Sequence, residues 1–251
     1  MKVYFIGAGP GDPELLTLKA HRIISNIELC LYAGSLVPLE ILSFAPKGAT
    51  IVDTANLNLK EIESYYINAK QENKDIARIH SGDVSVYGAL SEQIDILDKL
   101  NIEYEIIAGI PAYVQAAAIL NTELTIPGKV QSVILTRTSF SSTPMPEGED
   151  LVNLAKTGAT LVIHLSIRRM KYISRELSPI IGNDAIVAVL YRIGWPDQLV
   201  IIDRLDNIAK RVRENKITRT ALIITGKNFK KKSEMNSVLY DSHHNHLFRP
   251  K

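Results

Sequence analysis

The chain has 251 residues, of which 46% are apolar and 22% charged, and its 29 basic against 27 acidic side chains leave a net charge of +2. These values are typical of a globular protein and exclude a fibrous or broadly disordered chain. The small net charge excludes a general nucleic-acid binder, although a local basic groove is compatible with it. The length allows one large domain or two of about 100–130 residues each.

The cysteine count and the apolar runs bear on the cellular compartment. Cys30 is the only cysteine, so the chain cannot form an internal disulfide, which fits a reducing cytosol. No run approaches the ~20 apolar residues that cross a bilayer. The apolar start ends at Gly7 with no cleavage site after it. The sequence therefore predicts a cytoplasmic protein with no membrane partner.

Short apolar runs alternate with amphipathic segments through the first half of the chain. Runs of strand length lie at residues 3–8, 29–33, 50–52, 75–80 and 104–108. Helical spacing of apolar residues marks the segments 15–25, 59–70, 89–100 and 114–120. This alternation predicts an α/β domain with a mostly parallel sheet.

The second half has a different spacing. Strands are predicted at residues 130–136, 160–165, 185–190, 199–202 and 220–224. Helices are predicted at 150–156, 169–181 and 205–213. Gly194 and Pro196 lie in the short connection between the third and fourth of these strands, which predicts a hairpin and hence a mixed sheet.

The boundary between the two halves is predicted where Pro127 and Gly128 interrupt the pattern. We expect an N-terminal α/β domain over residues 1–121, a C-terminal α/β domain over 122–229 and a polar tail over 230–251.

The first candidate site is the loop Gly7-Ala8-Gly9-Pro10-Gly11-Asp12-Pro13 (the first loop), which follows the first predicted strand. It suggests dinucleotide binding, but the fingerprint G-x-G-x-x-G requires glycine where this chain has Asp12. Pro10 and Pro13 also lack the backbone N–H groups that would bind a diphosphate. Two interpretations remain open: a tight strand-to-helix turn, or a loop lining a ligand that is not a diphosphate.

Three more loops follow predicted strands, at the edge where open α/β sheets bind ligands. In the second loop, Ser81-Gly82-Asp83-Val84-Ser85-Val86-Tyr87-Gly88, Asp83 either binds a ligand or caps the next helix. The small residues of the third loop, Ala108-Gly109-Ile110-Pro111-Ala112, allow close packing of a ligand or of a helix on the sheet. The fourth loop is Tyr32-Ala33-Gly34-Ser35-Leu36-Val37-Pro38.

Several kinds of catalytic site are missing from the sequence. It has no G-x-S-x-G elbow, no H-E-x-x-H and no Walker A lysine, which disfavours a hydrolase. His80 and His164 lie in apolar strands and are predicted to be core or crevice-edge residues. His243, His244 and His246 could bind zinc only weakly, so we predict no metal site.

Together the loops resemble those of the tetrapyrrole (precorrin) methylases. The motifs stand in the order GAGPGDP, YAGSLV, HSGDVSVYGA, AGIPAY and ELTIPG…SVILTR, and the resemblance covers essentially the whole chain. YAGSLV, TIPG…ILTR and Gly194-Trp195-Pro196-Asp197 are most similar to the branch that methylates C11 of precorrin-4 or cobalt-precorrin-4 in cobalamin biosynthesis. Each motif alone is weak, whereas five in order at matching spacing are specific.

The resemblance implies an enzyme of two α/β domains, one with a mostly parallel and one with a mixed sheet, with the active-site cleft between them. It also implies a homodimer that uses S-adenosyl-L-methionine, releases S-adenosyl-L-homocysteine and methylates a carbon of a tetrapyrrole substrate. Because the methyl group of a sulfonium is already activated, such an enzyme must mainly align the reactants and exclude water. Loops of glycine, proline and alanine suit that task.

Carried over motif by motif, the resemblance implies a set of cofactor contacts. They are Pro10, Ser81, Gly82, Asp83, Val86, Pro111, Ala112, Leu165, Tyr191, Thr220 and Ala221. This chain departs from the commoner family form in two loops, where Val84 and Ala108 replace proline.

The substrate carries several carboxylates, so its pocket is expected to offer arginine, lysine or hydroxyl groups. Arg137, which follows the predicted strand 130–136, is the first candidate, with a surface ion pair as the alternative interpretation. Tyr32 and Ser35 of the fourth loop and Tyr87 of the second are hydroxyl-bearing candidates.

Other activities remain as alternatives. Within the family these are methylation at C2, C17 or C20, or diphthine synthesis on a protein. A nicotinamide-dependent oxidoreductase belongs to a different class and is disfavoured by Pro10 and Asp12. A non-catalytic module that binds tetrapyrroles or nucleic acid is the last alternative, and the low net charge and few aromatic residues disfavour nucleic acid.

Overall fold

The computed structural model of the protein describes residues 1–139 and 143–229. The chain divides into two compact units. Unit 1 comprises Met1–Ala116 and Arg192–Gln198, and unit 2 comprises, among the described residues, those of 117–191 and 199–229. The tail predicted at 230–251 lies outside the described residues.

Unit 1 contains a five-stranded sheet of order β3-β2-β4-β1-β5, in which all neighbouring strands are parallel. Its strands are β1 (Lys2–Gly7), β2 (Leu29–Tyr32), β3 (Thr50–Asp53), β4 (Ile76–His80) and β5 (Glu103–Ile107). The helices are α1 (Leu18–Ile24), α2 (Leu39–Leu42), α3 (Leu59–Gln71), α4 (Ser91–Lys99) and α5 (Ala112–Ile119), the last of which continues into unit 2. The predicted parallel sheet is confirmed.

Apolar side chains cover both faces of this sheet. The central strand β4 is buried at all five positions, as expected for a parallel strand between two layers. Ile6 and Ile79 belong to the cluster on one face, and Phe5 and Tyr66 belong to the cluster on the other. Because successive residues of a strand point to opposite faces, these uninterrupted apolar runs supply both clusters.

Two helices of unit 1 begin later than predicted. The segment 15–25 is not one helix, because Leu16 is extended with ψ 131° and α1 begins only after Thr17. The Thr17 hydroxyl accepts a hydrogen bond from Ala20 N at 3.2 Å, which fixes that start. Likewise α4 begins at Ser91 rather than at Ala89, whose φ of +48° is incompatible with a right-handed helix.

Unit 2 contains a mixed five-stranded sheet of order β6-β7-β10-β8-β9. Its strands are β6 (Val133–Arg137), β7 (Thr160–His164), β8 (Ile186–Tyr191), β9 (Leu199–Arg204) and β10 (Ala221–Thr225). β6 and β7 pair in parallel, while the other neighbours are antiparallel. The predicted hairpin is formed by β8 and β9, so the mixed sheet is confirmed. β6 begins later than predicted, since Val130 forms an isolated bridge with Ile126.

The second sheet is accompanied by the helices α6 (Leu151–Lys156), α7 (Met170–Ile181) and α8 (Leu205–Glu214). In α8 the buried residues Leu205, Ile208 and Val212 recur at helical spacing and pack in the core of unit 2. Within the described ranges, no helix combines the length and the apolar character that a membrane crossing requires.

Candidate functional site

Four glycines bring the first three loops together at the carboxyl edge of the unit 1 sheet. A Cβ placed on Gly109 would lie 2.2 Å from Gly82 O, and one on Gly7 would lie 2.7 Å from Gly109 N. Gly9 and Gly82 also exchange backbone hydrogen bonds of 3.1 and 2.7 Å. Because only glycine allows such close backbone approach, the three loops form one continuous rim, called here the glycine rim (residues 7–13, 81–88 and 108–112).

The Asp83 carboxylate holds two loops of the glycine rim together. Its Oδ2 accepts a hydrogen bond from Gly109 N at 2.8 Å, and its Oδ1 accepts from Ser85 N at 2.9 Å and from the Ser85 hydroxyl. Partial burial acts to raise the pKa of Asp83, but these hydrogen bonds outweigh it and hold the pKa below its usual value. Asp83 does not cap α4, whose N-cap is Leu90. It is an ionised clamp between the second and third loops.

For the ligand that the sequence resemblance implies, S-adenosyl-L-homocysteine, replacing Asp83 with alanine is expected to weaken binding by about 1–3 kcal/mol, the order of a lost hydrogen bond to a charged group. Because the pKa of Asp83 is lowered on folding, the clamp is intact above the ordinary aspartate range and is lost as the pH falls through the folded pKa. Isothermal titration calorimetry of the folded Asp83→Ala variant with S-adenosyl-L-homocysteine measures the loss of affinity. Unchanged affinity would show that the clamp does not shape a binding site for this ligand.

The segment Arg192–Gln198 completes the surroundings of the first loop within unit 1. A Cβ on Gly11 would lie 2.4 Å from the Trp195 ring, and one on Gly194 would lie 2.5 Å from Asp12 N. The Asp12 carboxylate accepts a hydrogen bond from Glu14 N at 2.9 Å and caps a 3-10 turn, not an α-helix. This local geometry lacks the helix N-terminus that a dinucleotide fold places against a diphosphate.

The fourth loop forms a 3-10 turn over Gly34–Leu36, directly after β2. At the end of that strand, burial and the Asp53 carboxylate on β3 both raise the pKa of Tyr32, so its hydroxyl stays protonated at neutral pH. The side chain of Ser35 lies outside the described part of the structure. The structure therefore places Tyr32 and the Ser35 backbone at the same sheet edge as the glycine rim.

A cavity of about 460 Å³ opens between the second and fourth loops, entirely within unit 1. Among the predicted residues, Ser81, Val86 and Tyr87 line it, with Ala33 and Leu36 of the fourth loop opposite. Tyr87 is 45% exposed and has φ +58°, a conformation that costs a side chain about 1–3 kcal/mol and is typical of functional loops. This volume is called here the unit 1 cavity.

In unit 2, the residues that the resemblance implies as ligand contacts lie at one edge of the mixed sheet. Arg137 ends β6 and pairs in register with His164 at the end of β7. Tyr191 ends β8 and pairs with Ala221 at the start of β10. Because β10 is antiparallel to both β7 and β8, its start lies at the edge where they end.

Leu165, just past β7, is held in a strained conformation at this edge. Its φ is +55° and its side chain is 62% exposed, both unusual for leucine. The buried Ser166 hydroxyl donates to His164 O at 2.7 Å and accepts from Thr138 N at 2.7 Å. Ser166, which the sequence reasoning did not single out, thus fixes the backbone on either side of Leu165.

Replacing Ser166 with alanine is expected to lower the free energy of unfolding by about 1–3 kcal/mol, because it leaves Thr138 N buried without its acceptor. Ser174→Ala is the matched control, since the buried Ser174 hydroxyl has no hydrogen-bond partner in the described part of the chain. That control should be neutral or slightly stabilising. Chemical denaturation measures both variants, and equal effects would contradict the role of Ser166.

Arg137 donates hydrogen bonds to three backbone carbonyl groups of described residues that follow β6. Its Nη1 donates to the carbonyl oxygens of Thr138 at 3.2 Å and Thr143 at 2.8 Å, and its Nη2 donates to Pro144 O at 3.3 Å. It forms no ion pair with a carboxylate of the described ranges, so the surface ion pair considered from the sequence is not seen there. Because its partners are neutral carbonyl groups, the positive charge of Arg137 can still pair with an anionic ligand.

Both strand histidines are neutral at physiological pH. Burial and then the nearby Arg78 lower the pKa of His80 to about 3, and burial lowers the pKa of His164 to about 4. The described residues hold no cluster of three or more metal-binding side chains. His243, His244 and His246 lie outside the described residues.

A buried polar network behind the unit 1 cavity was not found from the sequence. Gln93 Oε1 accepts hydrogen bonds from Arg78 Nε and from the Tyr66 hydroxyl, both at 2.9 Å. One signal was present: Arg78 interrupts an apolar run that forms a fully buried strand. Charged residues in such positions require partners that local spacing does not reveal.

Comparison of the whole chain with known proteins identifies related proteins and a family. The family model of the Tetrapyrrole (Corrin/Porphyrin) Methylases matches residues 2–209. A precorrin-4 C(11)-methyltransferase from a Sinorhizobium species is 45% identical and covers 99% of this chain and 98% of its own length. The X-ray structure of a cobalt-precorrin-4 methyltransferase of cobalamin biosynthesis has TM-score 0.86 and 36% identity, covering 90% of this chain and 94% of its own.

A uroporphyrin-III C-methyltransferase from Thermus thermophilus, solved in complex with S-adenosyl-homocysteine, has TM-score 0.73 and 26% identity. That alignment covers 90% of this chain and 92% of the Thermus chain. The structural alignment covers more residues than either unit contains, so it includes both sheets. With the family model spanning most of its length, this chain belongs to the tetrapyrrole (corrin/porphyrin) methylase family.

Proposed function

We propose that this protein transfers the methyl group of S-adenosyl-L-methionine to C11 of precorrin-4, or of its cobalt complex, in cobalamin biosynthesis. The observation that carries the proposal is the 45% identity to the Sinorhizobium precorrin-4 C(11)-methyltransferase along nearly the whole of both chains. Methylation at another ring position, or of a protein, has no comparable support.

The glycine rim fits such a cofactor. Its backbone and small side chains allow a nucleoside to approach closely, and Gly82, with φ +66°, has the left-handed backbone conformation that favours glycine. The ionised Asp83 places a negative charge on the same rim, complementary to a cationic ligand. When bound, the cofactor supplies an activated methyl group on a sulfonium.

We propose specific contacts in each unit. In unit 1 the cofactor contacts are Pro10, Ser81, Gly82, Asp83, Val86, Pro111 and Ala112. In unit 2 they are Leu165, Tyr191, Thr220 and Ala221. The strained φ angles of Leu165 (+55°) and Thr220 (+51°) support the second set, because strained backbone persists where function requires it.

The remaining tasks of the chain are alignment and exclusion of water. Arg137 is proposed to pair with a peripheral carboxylate of the macrocycle, and the hydroxyl groups of Tyr32 and Ser35 to orient it. The nucleophile is an electron-rich carbon of the macrocycle itself, so no strong general base is required to activate it. Water or a ring substituent accepts the proton that leaves afterwards.

We also propose that the protein acts as a homodimer in the cytoplasm. The buried Cys30, whose thiol pKa burial raises to about 11, is compatible with a reducing compartment. Analytical ultracentrifugation of the full chain tests the homodimer, with a monomer as the contradicting result.

The activity is tested with S-adenosyl-L-methionine carrying a ¹³C-methyl group and with enzymatically prepared precorrin-4 and cobalt-precorrin-4. Mass spectrometry should show the gain of one methyl group, and ¹³C NMR should assign it to C11. The two substrate arms also decide which metal state is used. Methylation at a different carbon, or tight binding of NAD instead of S-adenosyl-L-homocysteine, would overturn the proposal.

A further inference from the structure

A cationic side chain lies buried beside the unit 1 cavity, and its partners within the described residues are neutral. Arg78, 5% exposed, lines the cavity from the centre of β4. Its Nε donates to Gln93 Oε1 at 2.9 Å and its Nη1 to Leu31 O at 3.3 Å. Across the described ranges it forms no ion pair. Buried charges in proteins are ordinarily paired with an opposite charge, so this guanidinium can bind an anion that enters the cavity.

A second buried group on the same cavity has a nitrogen without a hydrogen-bond partner in the described part of the chain. His80, 7% exposed, lines the cavity two residues beyond Arg78 on the same face of β4. Its Nε2 is buried and has no hydrogen-bond partner among residues 1–139 and 143–229. Since the imidazole is neutral, Nε2 can carry its proton and donate to an anion.

The other walls of the cavity suit an aliphatic arm that ends in a charged group. Leu36, Leu57, Ile62 and Val86 supply apolar surface. The polar lining comprises Thr54, Ser81, Tyr87 and Gln93, together with the carboxylate of Glu92. A volume of about 460 Å³ exceeds what a few ordered waters need, so a ligand group can enter.

We propose that the unit 1 cavity is a carboxylate-binding subsite in which Arg78 supplies the charge and His80 Nε2 a hydrogen bond. The inference rests on the proposed function, whose reactants offer two sources of a carboxylate: the peripheral arms of the tetrapyrrole and the amino-acid part of the cofactor. The occupant is a tetrapyrrole arm. Such an arm joins apolar methylenes to a carboxylate, as the walls require, whereas the cofactor would bring an ammonium group close to Arg78.

The test is Gln93→Glu, which places a carboxylate next to Arg78 with almost no change in side-chain shape. The new carboxylate would form an ion pair with the guanidinium and so take the place of the proposed ligand carboxylate. The KM for the tetrapyrrole should rise about tenfold or more, as expected when a charge-assisted contact is lost. The kcat and the affinity for S-adenosyl-L-homocysteine should stay within about twofold. Gln71→Glu, an equal charge change at an exposed position of α3, is the control and should alter none of these values.

Glu92→Gln provides a second variant, at an exposed position where folding is not at risk. Removing this negative charge should lower the KM for the tetrapyrrole, because Glu92 repels an entering carboxylate. Weaker binding of S-adenosyl-L-homocysteine by this variant would instead show that the cavity holds the zwitterionic amino-acid part, which would overturn the assignment. An unchanged KM in both variants would overturn the subsite itself.

A binding measurement separates failure of the subsite from failure of the proposed function. Uroporphyrin, a tetrapyrrole with carboxylate arms, is titrated into the wild type and Gln93→Glu while its fluorescence is followed. Weaker binding by the variant supports the subsite even if precorrin-4 is not methylated. Equal binding by both proteins contradicts it, whatever the activity, and thermal melting confirms that the variant is folded.

Discussion

Gly109→Ala is expected to lower the free energy of unfolding by about 3 kcal/mol, at the upper end of the cost of overpacking. The new methyl group would lie 2.2 Å from Gly82 O and 2.6 Å from Gly7 O, and neither backbone can move without breaking the glycine rim. Binding of S-adenosyl-L-homocysteine should be abolished at the same time. Urea denaturation and calorimetry measure the two effects.

Gly148→Ala is the matched control for this substitution. It has φ +83° and nothing within 4 Å of its Cβ position, so alanine there meets backbone strain but no neighbour. Its cost should stay near 1 kcal/mol, with no effect on ligand binding. A Gly109→Ala variant as stable as Gly148→Ala would show that the three loops do not pack as closely as the glycine rim requires.

Arg137→Ala is expected to reduce turnover about 100-fold, the size of effect that a misplacement of ~1 Å has on an aligned displacement. The affinity for S-adenosyl-L-homocysteine should be nearly unchanged, since the proposed partner of Arg137 is the macrocycle and not the cofactor. The rate of product formation, with the methyl position assigned by NMR, measures the effect. A normal rate with methylation at C11 would remove Arg137 from the substrate site.

Arg137→Lys separates the charge of the side chain from its structural role. Lysine keeps the positive charge but cannot reproduce the fork that reaches Thr138, Thr143 and Pro144. If substrate pairing dominates, lysine should recover much of the lost rate. If both variants are equally slow and equally destabilised, Arg137 acts through its hydrogen bonds to the backbone of Thr138, Thr143 and Pro144.

The two sheets could be predicted from the sequence because their strands are marked by local pattern. β4 is an apolar run interrupted by a single charge, as a strand buried on both faces is, and Gly194 and Pro196 mark the connection of the β8–β9 hairpin. The loops at the carboxyl edge could also be predicted, since parallel strands carry ligand sites there. These features depend on residues that are neighbours in the chain.

Helix boundaries and isolated polar contacts were harder to predict. Nothing in the spacing of residues 15–25 reveals that Thr17 caps a new helix, because a threonine is equally acceptable inside an exposed helical turn. Ser166 likewise looks ordinary in the sequence, although its hydroxyl holds the strained Leu165 in place.

Only the tertiary structure decided what the individual site residues do. Asp83 bonds to Gly109 N, 26 positions away, so its role as a clamp has no local signature. Arg78 forms a hydrogen bond with Gln93 on the neighbouring helix and not with a carboxylate. Its charge therefore lies beside a cavity that could not be predicted from any pattern in the sequence. Periodicity is set by neighbours along the chain, whereas the partner of a buried polar group is set by which distant segments the packed sheet brings within hydrogen-bond reach.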